Sequence, residues 1–206
     1  MMNFMEELGI TGHLTIIKQF NDGKEEVVFD DRNIIVSGMG VGLSYLFTGS
    51  GSQNILDFQL DRFQIGVSGQ ATSVDANSNQ VSSTFALSGP LTIAQYGTNS
   101  NLYIEEASQI KNGTTVTKQP FALIPAHKIT KINDTSVRYT LVVGEEAANS
   151  LTDAHGDLSI NEIGLFMKNP VGSTDPNVSI LTAYRSFSNI VKTNDFSLIF
   201  RWTINF

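Results

Sequence analysis

Residues 196–206 alternate without a break. Phe196, Leu198, Phe200, Trp202, Ile204 and Phe206 fall on one side, and Ser197, Arg201, Thr203 and Asn205 on the other. Ile199 is the only apolar member of the second set. A period of two is the signature of a strand with one face in a core; at helical spacing the same residues would scatter around the axis. The last eleven residues therefore predict a strand that buries one face and leaves the other to solvent or a neighbour. A chain that finishes on Phe206 also predicts a docked terminus.

The same pattern recurs upstream. Residues 13–20 and 24–29 read as a hairpin around Asn21-Asp22-Gly23, whose glycine supplies the positive φ of a tight turn. A second hairpin is expected from 128–132 and 137–143 around Asn133-Asp134-Thr135. Phe63, Ile65 and Val67 place a strand at 62–67, and two late strands are expected at 161–167 and 180–187, bridged by a Pro/Gly/Asn-rich loop over 168–178. One segment departs from alternation. Ser37 is placed to cap a helix running to Phe47, with Met39, Leu43, Leu46 and Phe47 at helical spacing and Gly49 beyond the end. Gly38, Gly40 and Gly42 each weaken it by roughly 1 kcal/mol relative to alanine, so it needs a partner that rewards close backbone approach. Residues 68–83 and 97–119 are polar, with one apolar patch at Leu102, Tyr103 and Ile104. They read as long loops, either plain excursions or an arm that orders against another subunit. Together these elements predict one mainly β domain over 1–206: an antiparallel β-sandwich with one short α-helix and long polar loops, including a possible arm at about 68–119.

Composition excludes several function classes. The 206 residues hold no cysteine, which removes disulfides, thiolate nucleophiles and thiolate zinc sites. Thirteen Lys and Arg against 20 Asp and Glu give a net charge of −7, the wrong sign for nucleic acid or anionic lipid. No apolar run approaches the ~20 residues of a membrane span, so a soluble chain is expected. Glu6 and Glu7 stand where a signal peptide would need a basic start.

The residues that invite a chemical reading each have a plainer one. Gly38-Met39-Gly40-Val41-Gly42 has Leu43 where a dinucleotide fingerprint needs its third glycine, and no Walker lysine follows. Close helix–sheet packing is the better account. His13, His127 and His155 are dispersed. The run Asp153-Ala154-His155-Gly156-Asp157 puts glycine fourth and Glu162 tenth, where a calcium loop needs them sixth and twelfth. Glu25-Glu26, Asp30-Asp31, Glu105-Glu106 and Glu145-Glu146 are adjacent pairs, read as solvated turn residues; on a strand such neighbours point to opposite faces, whereas glycoside hydrolysis needs carboxyls that face one another. No catalytic residue, cofactor or metal site is expected.

A distributed pattern remains. Gly12-His13-Leu14-Thr15-Ile16 leads to the Asp22-Gly23 turn, then Arg32-Asn33-Ile34-Ile35-Val36 and Gly38. Later come Asn161-Glu162-Ile163-Gly164-Leu165-Phe166, the run Leu181-Thr182-Ala183-Tyr184-Arg185-Ser186-Phe187, Lys192, and the final amphipathic strand. This set, covering about half the chain at its two ends, resembles tailed-bacteriophage virion proteins that include the N-terminal attachment modules of tail-collar and tail-fibre proteins. The resemblance implies a non-enzymatic structural protein of the neck, tail or baseplate, made in the host cytoplasm and carried in the virion. It would act as an adaptor or ring component, a homo-oligomer that also docks fibres or other phage virion proteins. Glu162, Arg185, Lys192 and Tyr103 are the interface candidates. A Glu162–Arg185 pair between adjacent strands would fix register or reach a neighbouring subunit, and Lys192 is most simply a solvated turn residue. Two alternatives stand beside this reading: a capsid decoration protein, and a carbohydrate-binding β-sandwich that recognises a host surface. The second predicts exposed aromatics, for which the loops offer Tyr96 and Tyr103.

Overall fold

The computed structural model describes residues 9–69, 86–97, 101–107, 110–111, 114–115, 118–153, 156–172 and 178–206. Its strands are β1 (Thr11–Phe20), β2 (Glu25–Ile35), β3 (Leu60–Gly66), β4 (Tyr103–Ala107), β5 (Ile110–Lys111), β6 (Thr114–Thr115) and β7 (Lys118–Leu123). They continue with β8 (Ile129–Asn133), β9 (Ser136–Val143), β10 (Thr152–Asp153), β11 (Gly156–Asp157), β12 (Ile160–Met167), β13 (Ile180–Ile190) and β14 (Phe196–Asn205). Ten of them form one antiparallel sheet in the order β4-β7-β3-β12-β13-β2-β1-β14-β9-β8. The other four make two small hairpins.

That sheet curls into the two layers of a sandwich. β2 pairs with β1 along most of its length, but with β13 only through Ile34↔Tyr184 and Ile35↔Ala183. At this corner β2 leaves one layer (β2-β1-β14-β9-β8) and joins the other (β4-β7-β3-β12-β13). Phe63 on β3 and Trp202 on β14 are five strands apart, about 24 Å along a flat sheet. Their rings nevertheless stack at 5.8 Å. Leu14, Ile16, Leu141, Leu198, Phe200 and Ile204 from the first layer meet Ile65, Ile163, Leu165, Ala183 and Phe187 from the second. Each such burial contributes roughly 1.5–3 kcal/mol. The final strand keeps its register, with Thr11↔Asn205 through Phe20↔Phe196 on one side and β9 on the other.

β12 is buried on both faces, as its nearly continuous apolar sequence requires. Ile163 and Leu165 face the main core; Phe166 joins Val36, Leu87, Phe121, Leu181 and Tyr184 in a second cluster on the outer side. Residues 86–91 strap this cluster through Val67 N–H to the Gly89 carbonyl at 2.9 Å and Leu91 N–H to the Ile65 carbonyl at 2.8 Å.

The helix spans Ser37–Thr48, and Gly49 closes it with φ +62° as expected. Val36 occupies the N-cap position and makes no side-chain cap, so Ser37 is the first helical residue and not the cap. The glycines serve close packing: a Cβ on Gly38 would collide with the Leu181 carbonyl, and one on Gly42 with the Met167 side chain. The 97–119 segment is also not one loop. β4 and β7 pair from Tyr103↔Ala122 to Ala107↔Lys118 as the edge of the second layer. Of 68–83, residues 70–83 lie outside the described residues, as does His155. Among the described residues, no helix is long and apolar enough to cross a membrane.

Candidate docking surface

The helix closes one end of the sandwich with a face too apolar for the core to absorb. Met39 is buried in the main core, whereas Leu46 and Phe47, on the following turns, stand outward, Phe47 81% exposed. Met39, Leu43, Leu46 and Phe47 share one apolar stripe by their spacing, and of the four only Met39 is fully buried. Next in sequence, Asn54 caps a 3-10 turn (Ile55–Phe58) through its side-chain oxygen, which accepts the Leu56 N–H at 3.1 Å. Ile55 and Leu56 on that turn are 65% and 60% exposed. Between these elements and the first layer lies an apolar cleft of about 200 Å³, lined by Leu43, Leu46, Phe58, Ile129, Met167 and Phe206 among others. The C-terminus is docked by the Phe206 N–H on the Thr135 carbonyl at 2.8 Å, while its ring lines the cleft half-exposed.

Main-chain hydrogen bonds tie the 52–59 segment to 168–170. The Ser52 N–H bonds the Pro170 carbonyl at 3.0 Å, and Lys168 and Asn169 N–H groups bond Gln59 and Asp57 carbonyls at 3.0 and 2.8 Å. Burial pushes the Asp57 carboxyl up, but the Ser52 hydroxyl at 2.5 Å and the Lys168 ammonium at 3.1 Å outweigh it, and its pKa is lowered. The polar groups beside the apolar patch are bonded to one another, and the patch itself has the character of a protein-contact surface.

The residues singled out from sequence lie elsewhere and apart. Glu162 is fully buried on the outer side of the second layer, where it accepts the Gly89 N–H at 2.7 Å, the Ser88 N–H at 3.1 Å and the Tyr184 hydroxyl at 3.0 Å. Arg185 lies opposite Ile163, and Glu162 opposite Ser186, so the two side chains emerge on opposite faces and form no pair. Arg185 instead donates to Asp31 at 2.7 Å and stacks over the Phe29 ring. Lys192 is no solvated turn residue. It is 2% exposed, and its ammonium donates to the Thr193 carbonyl at 2.6 Å, the Asn149 side chain at 2.8 Å and the Glu145 carbonyl at 3.2 Å. Burial lowers its pKa to about 8 against the pull of Glu145, Glu146 and Asp195. Tyr103 and Tyr96 are both buried and stack on each other at 4.3 Å.

Sequence reasoning missed Phe47, Ile55 and Leu56 as surface residues. The available signals were the Leu46-Phe47 doublet on a short helix and the Ile55-Leu56-Asp57-Phe58 run, which fits neither a strand nor a helix stripe. Against family models, curated proteins and solved structures the chain gives no match.

Proposed function

We propose that this chain is a non-enzymatic structural protein of a tailed-bacteriophage virion, an adaptor or ring component of the neck, tail or baseplate. It self-associates and docks a second virion protein through the apolar end of the sandwich. The observation that carries this reading is a set of exposed apolar side chains: Leu46 and Phe206 in the lining of the cleft, and Phe47, Ile55 and Leu56 on the helix and 3-10 turn that supply Leu43, Leu46 and Phe58 to it. Isolated apolar residues on a surface are ordinary, but five on the elements that build one apolar cleft favour a protein cover. The pattern of residues at the two chain ends supplies the virion assignment. Tyr96 and Tyr103, the aromatics offered for sugar binding, present each other with their ring faces, which favours assembly over carbohydrate recognition.

The test is capture of virion components by the purified chain and by a Phe47→Asp, Leu56→Asp variant. Both side chains are exposed, so the variant keeps wild-type stability to within about 0.5 kcal/mol by urea denaturation. It loses at least tenfold in affinity for the partner, on the order expected for removing buried anchors. A wild-type chain that binds no virion component, or a variant that binds as well, contradicts the reading.

A further inference from the structure

The first layer of the sandwich ends in two open strand edges of opposite charge. On one side, β2 runs free of β13 until Ile34, so residues 25–32 have no ladder partner on their outward side among the described residues. Their charged side chains are Glu25, Glu26, Asp30, Asp31 and Arg32, all exposed. On the other side, β8 pairs only with β9 among the described residues and stands last in the strand order. Its charged residue is Lys131, with Lys128 just before it, Arg138 beside it on β9 and Asp134 in the turn. A chain with a net charge of −7 thus concentrates cations along one sheet edge and anions along the other. Each edge also shows one apolar side chain, Val27 at 60% and Ile132 at 45% exposure.

We infer that copies of this chain join head to tail, the β8 edge of one subunit against the β2 edge of the next. The first layer then continues from subunit to subunit. Charges on an edge ordinarily prevent strand addition, and each edge here does repel its own kind: β2 against β2 sets four carboxylates against four, and β8 against β8 sets lysines against lysines. The heterologous combination alone is attractive, so the same residues that block two-fold pairing select a head-to-tail contact. The local pairs leave these charges available: Asp30 is held to His13 at 2.8 Å and Thr15 at 2.7 Å, yet remains solvent-exposed, and its pKa is lowered by the Thr15 hydroxyl first and then by His13. Asp31 is 53% exposed beside Arg185. Lys131 meets Asp134 at 2.8 Å in an open i,i+3 pair that exchanges readily for a better partner.

The other acidic edge is a poorer match. β4 has the Glu106 carboxylate engaged by Arg62, and its Ala107 carbonyl accepts the Ser179 N–H at 3.1 Å. Only Glu105 is left to meet a basic strand there. β8 has five residues, so few main-chain bonds are possible and electrostatics sets both partner choice and association rate. Head-to-tail contacts close into a ring when the rotation per subunit permits, which is the geometry an adaptor ring needs. The inference rests on the self-association in the proposed function and names the surface that performs it.

A charge swap tests it. Variant one carries Lys128→Glu and Lys131→Glu; variant two carries Glu25→Lys and Glu26→Lys. All four positions are at the surface, and native mass spectrometry at low salt reads the subunit number. Wild type should assemble. Each variant alone should lose at least tenfold in association, from like charges set edge to edge. Their equimolar mixture should recover assembly with the two variants alternating, and the chain carrying all four changes should recover it alone. A monomeric wild type, or single variants that assemble as wild type does, overturns the inference. So does a mixture that stays monomeric while each variant retains the wild-type circular dichroism. The virion assignment is read separately, through the Phe47→Asp, Leu56→Asp capture, so the two can fail independently.

Discussion

Lys192 and Glu162 are charged residues in places where charge is hard to keep, and each is held by main-chain groups. Lys192 fixes the 145–149 turn to the β13–β14 connection through two carbonyls and one amide oxygen, with no carboxylate in contact. Its lowered pKa has a readable consequence. Below about pH 8 the lysine is protonated in both the folded and unfolded chain, and stability has no slope from this group. Between about 8 and the ordinary value of 10.5 the unfolded chain binds a proton that the folded chain lacks, so stability rises with pH. Above pH 10 buried tyrosines oppose it: burial holds Tyr139 up to about 12 and Tyr96 higher, so the unfolded chain ionises first. A Lys192→Met variant retains the tyrosines and isolates the lysine. The Tm of wild type relative to this variant should climb from pH 8 to pH 10, and a flat difference would rule out a depressed lysine. Sequence could name Glu162, Arg185 and Lys192 but not their surroundings. Glu162 is satisfied by Ser88 and Gly89, more than 70 positions away, and a charge in a polar connector reads as solvated unless the fold around it is known.

At the scale of elements, alternation carried most of the fold. It located β1, β3, β8, β9, β12, β13 and β14 to within a few residues; β1, β9 and β14 bury one face and leave the other part-exposed, whereas β12, buried on both faces, is legible as a nearly continuous apolar run. It stopped short on β2, whose outer half carries Asp30, Asp31 and Arg32, and it passed over β4, the last strand of the second layer, which carries Glu105 and Glu106, and its neighbour β7, which opens with Lys118, Gln119 and Pro120. Edge strands lack the apolar face that makes a strand legible. The helix was legible from its spacing, and its glycines from the need for a close partner. That partner sets a prediction. Gly38→Ala drives a Cβ into the rigid Leu181 carbonyl, whereas Gly42→Ala meets the flexible end of Met167 and gains helix propensity. In urea denaturation Gly38→Ala should cost about 1–3 kcal/mol, and Gly42→Ala should stay within about 1 kcal/mol of wild type. Equal losses, or the reverse order, would show that the helix is not seated on β13 as described.

The whole molecule is a sandwich made from one curled sheet, and curling leaves it with features that a closed barrel would lack. One end is stoppered by a helix with apolar residues to spare. The first layer exposes an acidic edge and a basic edge. The low share of charged residues, 16%, is consistent with surfaces that other protein covers, since interface cores are depleted in charge. Neither surface was legible beforehand: the cleft gathers residues from six separate stretches of sequence, and the two edges become edges only once the strand order is known. The central claim is that this chain is an assembly component of a phage particle. Cryo-microscopy of the intact virion tests it most directly. Repeated copies are expected in the neck, tail or baseplate, with Phe47, Ile55 and Leu56 buried against a second virion protein. A particle that contains no copy of the chain, or one in which that end of the sandwich faces open solvent, would contradict it.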